Sequence, residues 1–376
     1  MEDFDTNFST ISWNNRVYGN YFTNLEAFTS HTARGNRSLS VISYYFGCLS
    51  VICQTSKLIL NQEQLSFFKV NGYLILPKIL DIKLCAKARD LLWSSLPKES
   101  TIKREDPSTH TGPFEGIDLQ DDITNLRQGY KWQFRSIGTD QLMIDLVYSD
   151  ILQKIAEDLL GKDTLVKPKI GGKTMGQHGA AWPGGPVDPA LENEGARGIY
   201  GTLPYGNKEK EPDFCHTDGH PFNLGLVGLI DEVLPKGGAF KVWPGSHKRL
   251  YPTFQMQYDQ PRIAYYAHLP SFKGIIQSKM YEEEIKKVME DTKPVDCYGL
   301  EGDVIFWHHR LAHMAGHNYS NKVRLAVLGD YIKKDLDENR SKPPQENMWQ
   351  DWSNELKNSS EVYSEETARS QKLIDL

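Results

Sequence analysis

Cysteine is scarce and scattered in this sequence of 376 residues. The five cysteines include no Cys-x-x-Cys pair, which argues against a disulfide framework and against a thiolate zinc site. An odd set of this kind fits a reducing compartment, so we expect a cytoplasmic protein. Residues 6–60 contain few acidic side chains, however, which leaves an organelle transit segment open as an alternative. The first residues are acidic and lack the positive charge of a secretory signal.

A basic excess and a long hydrophobic run are also missing. The formal net charge is −6, so the chain lacks the surplus of cations typical of nucleic-acid binding, and we expect no such partner. The most apolar early stretch, residues 39–53, is shorter than a membrane-spanning helix and is interrupted by polar residues. We therefore expect no membrane partner, and the composition leaves the oligomeric state open.

Hydrophobic residues make up 39% of the chain, which is enough for a large core without covalent crosslinks. Apolar residues at helical spacing predict helices over residues 82–96 and 140–160. Residues 61–68 are rich in helix-forming side chains, and residues 281–290 also have a helix-like sequence. Short apolar runs between turn signals predict strands at residues 72–77, 130–134, 199–203, 223–230, 240–243, 303–307 and 323–332. Asp81 is the expected N-cap of the second helix, and residues 98–128 are expected to be loop. Early helices and later strands indicate a mainly β core with flanking helices.

This pattern divides the chain into three parts. Residues 1–57 are predicted to be an extension outside the main fold, and residues 58–332 form the predicted domain. Residues 333–376 are predicted to be a charged, partly helical tail, with helix over residues 346–356. The Gly- and Pro-rich stretch 171–198 is predicted to be a long loop, of the kind that serves as a lid or a binding loop.

The tripeptide His216-Thr217-Asp218 is the first chemical signal. On an extended strand the imidazole and the carboxylate point to the same face, because side chains alternate. Two histidines and one carboxylate on one side of a divalent ion are typical of oxygen-activating, non-haem Fe(II) sites. A lone His-x-Asp is more often a surface turn or a local hydrogen-bonded pair, so the metal interpretation depends on a further ligand.

A dense group of histidines downstream offers that ligand, although its spacing gives no unique choice. His313 lies among small and apolar residues, which keep water away and suit a metal ligand. We expect the other three to be ordinary surface or hydrogen-bonding residues: His308, His309 and His317. His220 would share the face of His216 and is not expected to be a ligand. Cys215 would point to the opposite face, and we expect it to pack in the core.

Arg324 lies inside an otherwise apolar strand, where a guanidinium is costly to bury without a partner. A carboxylate is the natural partner because it can accept two parallel hydrogen bonds. That carboxylate could belong to an internal Asp or Glu, or to a small bound acid.

Taken in chain order, these features resemble the phytanoyl-CoA dioxygenase family of Fe(II)- and 2-oxoglutarate-dependent oxygenases. The resemblance covers about residues 65–331. It rests on His216-x-Asp218, Gly238-(x)5-Pro244-Gly245-Ser246-His247, Gly302-Asp303, His313 and Arg324. It implies a double-stranded β-helix, a cupin-like jelly roll. We read Pro244 to His247 as a structural turn.

The resemblance also implies a ligand set. Iron would bind His216, Asp218 and His313, and Arg324 would bind the far carboxylate of 2-oxoglutarate. Lys131 is a candidate for the basic residue that the family supplies from an earlier strand. Some relatives have an aromatic or hydroxyl side chain where this chain has two small residues, Val227 and Ala315. Four aromatic residues are candidates for the pocket wall or for plain core: Trp182, Tyr200, Trp243 and Trp307.

The implied activity is hydroxylation of an unactivated C–H bond in a small organic substrate, with O2 consumed and succinate and CO2 released. Asp218 is present, which favours hydroxylation because halogenating relatives lack this carboxylate. The loop 171–198 carries acidic residues and few basic ones, a poor match for the phosphates of coenzyme A. Two alternatives stay open: a non-catalytic jelly-roll binding module with a vestigial metal site, and a metal hydrolase on the same ligands.

Overall fold

The computed structural model describes residues 58–122, 125–171, 196–218, 221–258, 278–340 and 342–364. The predictions for residues 1–57, for most of the loop 171–198 with Trp182, and for His220 fall outside these residues. None of the helices in the described part of the chain is long and apolar enough to cross a membrane.

The first predicted helix and strand form as expected. Helix α1, Gln62–Asn71, begins at a capping box in which Asn61 and Gln64 bind each other's backbone N–H groups. It ends at Gly72, whose φ of 78° lies in the left-handed region. Strand β1, Tyr73–Leu76, follows at once.

Helix α2, Ile82–Ser94, begins at Asp81, whose carboxylate accepts the backbone N–H groups of Lys83 and Leu84, as predicted. The single helix predicted over residues 140–160 is two helices instead: α3 is Gln141–Val147 and α4 is Asp150–Leu160. The break falls at Tyr148, whose φ of −122° and ψ of 31° are not helical. The Tyr148 hydroxyl donates to the Asp330 carbonyl at 2.9 Å.

The described strands form two antiparallel sheets. After β1 the strands are β2 Gln120–Asp121, β3 Asn125–Gln128, β4 Lys131–Phe134, β5 Ala196–Thr202, β6 Leu224–Leu229, β7 Phe240–Val242, β8 Val295–Cys297, β9 Val304–His308, β10 His313–Ala315 and β11 Arg324–Tyr331. The larger sheet has the order β1-β9-β6-β11-β5-β4-β3-β2 and the smaller has the order β10-β7-β8. These sheets and their flanking helices are the predicted double-stranded β-helix.

Short strands account for most of the differences from the sequence prediction. The predicted loop 98–128 contains β2 and part of the hairpin β3–β4. Strands β8 and β10 were not predicted because three residues are too few to show alternation. Helices α5, Ser246–Leu250, and α6, Lys279–Asp291, share an apolar cluster with residues of the smaller sheet and its connections. Helix α6 matches the helix predicted over residues 281–290.

The described part of the C-terminal segment packs on α1. Trp349, Trp352 and Leu356 are buried, and the Trp352 ring lies 5.7 Å from the ring of Phe68. The helix predicted over residues 346–356 is wrong. The C-terminal segment instead contains two short helices, α7, Leu336–Asn339, and α8, Asn354–Asn358. Helix α8 begins only after Ser353, because the Ser353 side chain accepts the Leu356 N–H and caps the helix.

Candidate metal centre

Three predicted ligands, distant along the chain, come together at one end of the smaller sheet. His216, Asp218 and His313 each offer a donor atom, and these atoms lie within 4.8 Å of one another. Asp218 Oδ1 is 3.8 Å from His216 Nε2 and 3.5 Å from His313 Nε2. Donors that bind a metal at about 2.1 Å and at right angles stand about 3 Å apart. A small inward movement would therefore let all three bind one ion.

Backbone pairing holds the two histidines side by side. The His216 N–H donates to the His313 carbonyl at 3.0 Å, and the His313 N–H donates back at 2.9 Å. The strand predicted through His216-x-Asp218 is reduced to this isolated bridge. Thr217 faces away from the site, as predicted, and its N–H donates to the Tyr281 hydroxyl of α6 at 3.2 Å.

Each imidazole directs its Nε2 atom towards Asp218. His313 Nδ1 lies 2.8 Å from the Leu311 carbonyl, so we assign the proton to Nδ1 and the lone pair to Nε2, which faces Asp218. The pKa of His216 is lowered to about 3, chiefly because its ring is buried and secondly because His313 lies beside it. His216 is therefore uncharged at neutral pH and offers a lone pair to a cation.

Arg197 is the site residue that the sequence reasoning missed. Its Nη1 lies 2.8 Å from Asp218 Oδ2 and forms an ion pair with that carboxylate. Its Nε and Nη2 donate hydrogen bonds to the two oxygens of Asp330 at 2.8 and 2.6 Å. Burial disfavours the charge, but Asp218 and Asp330 outweigh it and raise the pKa of Arg197 above its ordinary value. Two carboxylates therefore share one permanently charged guanidinium.

Arg324 is buried at the start of β11, with no carboxylate paired to it among the described residues. Its Nε donates to the Gly238 carbonyl at 2.9 Å and its Nη1 to the Tyr200 carbonyl at 3.2 Å. Nη2 makes no hydrogen bond within the described part, so it remains available to a ligand. Burial lowers the pKa of Arg324 to about 10, which still leaves it charged at neutral pH. The internal-acid alternative thus finds no support in this part of the chain.

Lys131 and Arg324 lie in one row of the larger sheet. Both are paired with Thr202 of β5, one from each side, so the three side chains point to the same face. Strand spacing puts the Cα atoms of the two cations about 10 Å apart. The face they share is the wall of a cavity.

A cavity of about 630 Å³ joins these residues. His216, Asp218, His313, Arg197, Lys131 and Arg324 all line it. Two of the aromatic candidates, Tyr200 and Trp307, and both small residues, Val227 and Ala315, also line it. Trp243 belongs instead to the apolar cluster beneath the smaller sheet.

The other histidines are more deeply placed than the sequence suggested. His308 and His309 are fully buried, so they do not lie at the surface. His308 is a hydrogen-bonding residue, one of the two expected alternatives, because its Nδ1 accepts the Arg310 N–H at 3.0 Å. Its ring stacks on Trp352 with ring centroids 4.9 Å apart. His317 lies near Glu211, with Nε2 3.5 Å from a carboxylate oxygen. None of these three belongs to the ligand group.

Cys215 and the turn at Pro244 to His247 are structural. Cys215 is buried in an apolar cluster, and burial raises the pKa of its thiol to about 12, which makes it unreactive. Gly245 supplies the positive φ of 76° that turns the chain into α5. The His247 ring is buried, with Nε2 3.2 Å from the Lys69 carbonyl.

One known protein family matches the part of the chain that contains this site. Residues 212–326 match the family model described as Phytanoyl-CoA dioxygenase (PhyH). The matched segment contains His216, Asp218, His313 and Arg324. The resemblance predicted from the sequence is thereby confirmed for this segment, which matches the model of that family. The matched description is that of a dioxygenase, and the group of His216, Asp218 and His313 is of a kind that could hold a metal ion.

Several solved structures are similar in fold. The non-heme alpha ketoglutarate dependent carbocyclase SnoK from nogalamycin biosynthesis is 16% identical, with a TM-score of 0.42, over 77% of this chain and 95% of that one. EctD from S. alaskensis with bound Fe is 18% identical, with a TM-score of 0.44, over 78% and 84%. HygX from Streptomyces hygroscopicus, with nickel, 2-oxoglutarate and hygromycin B bound, is 15% identical, with a TM-score of 0.36, over 73% and 87%. Likenesses this distant carry no argument about activity. No curated protein sequence matches the chain.

Proposed function

We propose that this enzyme hydroxylates an unactivated C–H bond of a small organic substrate, converting 2-oxoglutarate to succinate and CO2. One observation carries the proposal. Three metal-type donors and a buried, carboxylate-free Arg324 line the same cavity within the described residues. The metal-hydrolase alternative leaves that guanidinium unexplained.

Each residue has a distinct part in the proposal. His216, Asp218 and His313 hold Fe(II), which together with 2-oxoglutarate and O2 supplies the oxidising power when bound. Arg324 pairs with the far carboxylate of 2-oxoglutarate through its available Nη2. Lys131 adds a second positive charge on the same wall, which favours a dianion over a neutral ligand.

The cavity wall supports oxidation of a carbon centre rather than reaction with water. Apolar side chains at the wall, among them Phe240 and Trp307, are buried and exclude solvent from the metal side. Asp218 is itself the third protein ligand, so a halide has no vacant ligand position to fill. Together these features favour transfer of a hydroxyl group to the substrate.

Anaerobic addition of Fe(II) and 2-oxoglutarate to the protein tests the first half of the proposal. We expect a visible metal-to-ligand band in the wild type and its loss in Asp218→Ala. A matched control, Asp231→Ala, removes a carboxylate that pairs with Lys322 away from the cavity and should keep the band. Absence of the band in the folded wild type would instead favour the non-catalytic binding module.

A metabolite screen tests the second half. In the presence of Fe(II), 2-oxoglutarate and O2, succinate release should depend on one class of added compound, and the product should gain one oxygen atom by mass spectrometry. Turnover that proceeds without O2 and 2-oxoglutarate would point to the hydrolase and contradict the proposal.

A further inference from the structure

Arg197 is enclosed between two buried acids and two aromatic rings. Arg197, Asp218 and Asp330 are each less than 10% exposed. Asp330 accepts two parallel hydrogen bonds from the guanidinium, a geometry that fixes the plane of the group. The Arg197 Cζ atom also lies 4.9 Å from the ring centre of Phe222 and 5.4 Å from that of Trp307. The side chain therefore has one well-defined position.

A β-bulge delivers Arg197 to the cavity. Leu328 is paired with Gly198 and Gly329 with Ala196, so Arg197 is an extra residue of β5 without a partner in β11. In a regular strand it would point away from the face that carries Tyr200 and Thr202. Gly198 permits the bulge with a φ of 114°, and a Cβ atom there would stand 2.2 Å from the Phe134 carbonyl oxygen.

The ion pair with Arg197 gives the two carboxylate oxygens of Asp218 different neighbours. Arg197 Nη1 holds Oδ2 at 2.8 Å, whereas Oδ1 is the oxygen that faces the Nε2 atoms of His216 and His313. A carboxylate held in this way presents one oxygen to the metal. If both oxygens turned inward, they would occupy a coordination position that 2-oxoglutarate or O2 needs.

We propose that Arg197 is a positioning residue that makes Asp218 bind the metal through Oδ1 alone, with Asp330 as its anchor. This inference rests on the proposed function. The bulge, the paired acid and the enclosing rings are then parts of one device that keeps ligand positions open. Charge also enters, because one cation between two acids leaves a net charge of −1 to meet the metal.

The test is the double variant Arg197→Met/Asp330→Asn, which removes the device and keeps the local net charge at −1. Three measurements are made on it: the thermal midpoint without metal, the Kd for Fe(II) under anaerobic conditions, and the visible spectrum with Co(II), which reports coordination number. We expect a folded protein whose Kd for Fe(II) rises by about 10- to 100-fold. The Co(II) spectrum should change as Asp218 gains freedom to bind through both oxygens.

A matched control is Arg249→Met/Glu284→Gln, which removes a charge-balanced ion pair between α5 and α6, away from the cavity. It should bind both metals as the wild type does. Should the double variant fail to fold, Arg197→Lys is measured in the same way. Lysine keeps the charge but has no fork with which to bridge both acids, so its Kd for Fe(II) should rise by about tenfold.

The possible outcomes separate the two proposals. A folded variant with the Fe(II) affinity and Co(II) spectrum of the wild type would overturn the role of Arg197 and leave the oxygenase proposal intact. A lower thermal midpoint with unchanged metal binding would assign Arg197 a purely structural role and would also overturn the inference. Failure of the wild type to form the Fe(II)-2-oxoglutarate band would instead count against the proposed function.

Discussion

Mild acid should destabilise this protein through two buried imidazoles. His247 and His308 lie 5.2 Å apart between ring centres, and both are enclosed by Trp349. Burial, opposed by the contact with the Lys69 carbonyl, lowers the pKa of His247 to about 3. Burial and the neighbouring His247 lower the pKa of His308 well below its usual value. The native state therefore keeps both rings neutral at pH values where the unfolded chain protonates them.

The size of the effect follows from proton linkage. An unfolded histidine has a pKa of about 6.5, so the native state is at full stability above that pH and loses stability as the pH falls towards about 3. Once the unfolded form is protonated, each ring that stays neutral in the native state lowers the free energy of unfolding by about 1.4 kcal/mol per pH unit. For two rings the loss between pH 6.5 and 5 is about 3 kcal/mol, a large share of a typical folding free energy.

Urea unfolding at pH 7.5 and pH 5.0 measures this loss. Asp158 opposes it, because burial raises the pKa of that carboxyl to about 6 and so favours the native state on acidification. The informative quantity is therefore the difference between the wild type and His247→Phe/His308→Phe. The double variant should be less stable at pH 7.5 but should lose about 4 kcal/mol less between pH 7.5 and pH 5.0, because part of the linked loss already occurs above pH 6.5. Equal pH dependence in the two proteins would refute the assignment of neutral rings.

Three further changes have defined outcomes. Arg324→Met should raise the Kd for 2-oxoglutarate at least tenfold while leaving Fe(II) binding intact, as followed by the visible band; equal loss of both would contradict its assigned role. Gly225→Ala should cost about 1–3 kcal/mol in urea unfolding, because its Cβ would stand 2.2 Å from the Trp307 ring; full stability would mean that the ring can move aside. Trp352→Ala should cost about 3–5 kcal/mol by the same assay, since the ring is buried against His308; a loss below about 1 kcal/mol would show that the C-terminal segment contributes little.

The sequence was informative where chemistry is local. His216-x-Asp218 is read from three adjacent residues, and the small, apolar neighbours of His313 single it out among four histidines. Arg324 is conspicuous because a guanidinium inside an apolar strand requires a partner. The same logic applies to the helix caps, since an N-cap and its acceptor lie within one turn.

Long-range contacts explain what was missed. Strict alternation assigns Arg197 to the wrong face, and only the bulge at Gly198 reverses that assignment. The signals available were an arginine before a glycine in β5 and an aspartate, Asp330, inside the apolar strand β11. The burial of His308 depends on Trp352, a residue that lies more than forty positions further along the chain, where the sequence shows only a charged tail.

The extra residue in β5 makes the centre sensitive to chain length as well as to side-chain identity. Deleting one position between Ala196 and Gly198 would let the two strands pair without interruption, and the rest of the larger sheet could close as before. All three metal-facing groups would survive such a deletion, yet Asp218 would lose its guanidinium neighbour. A relative shortened in this way would still contain all three residues of the ligand group, but Asp218 would lack the guanidinium that orients it.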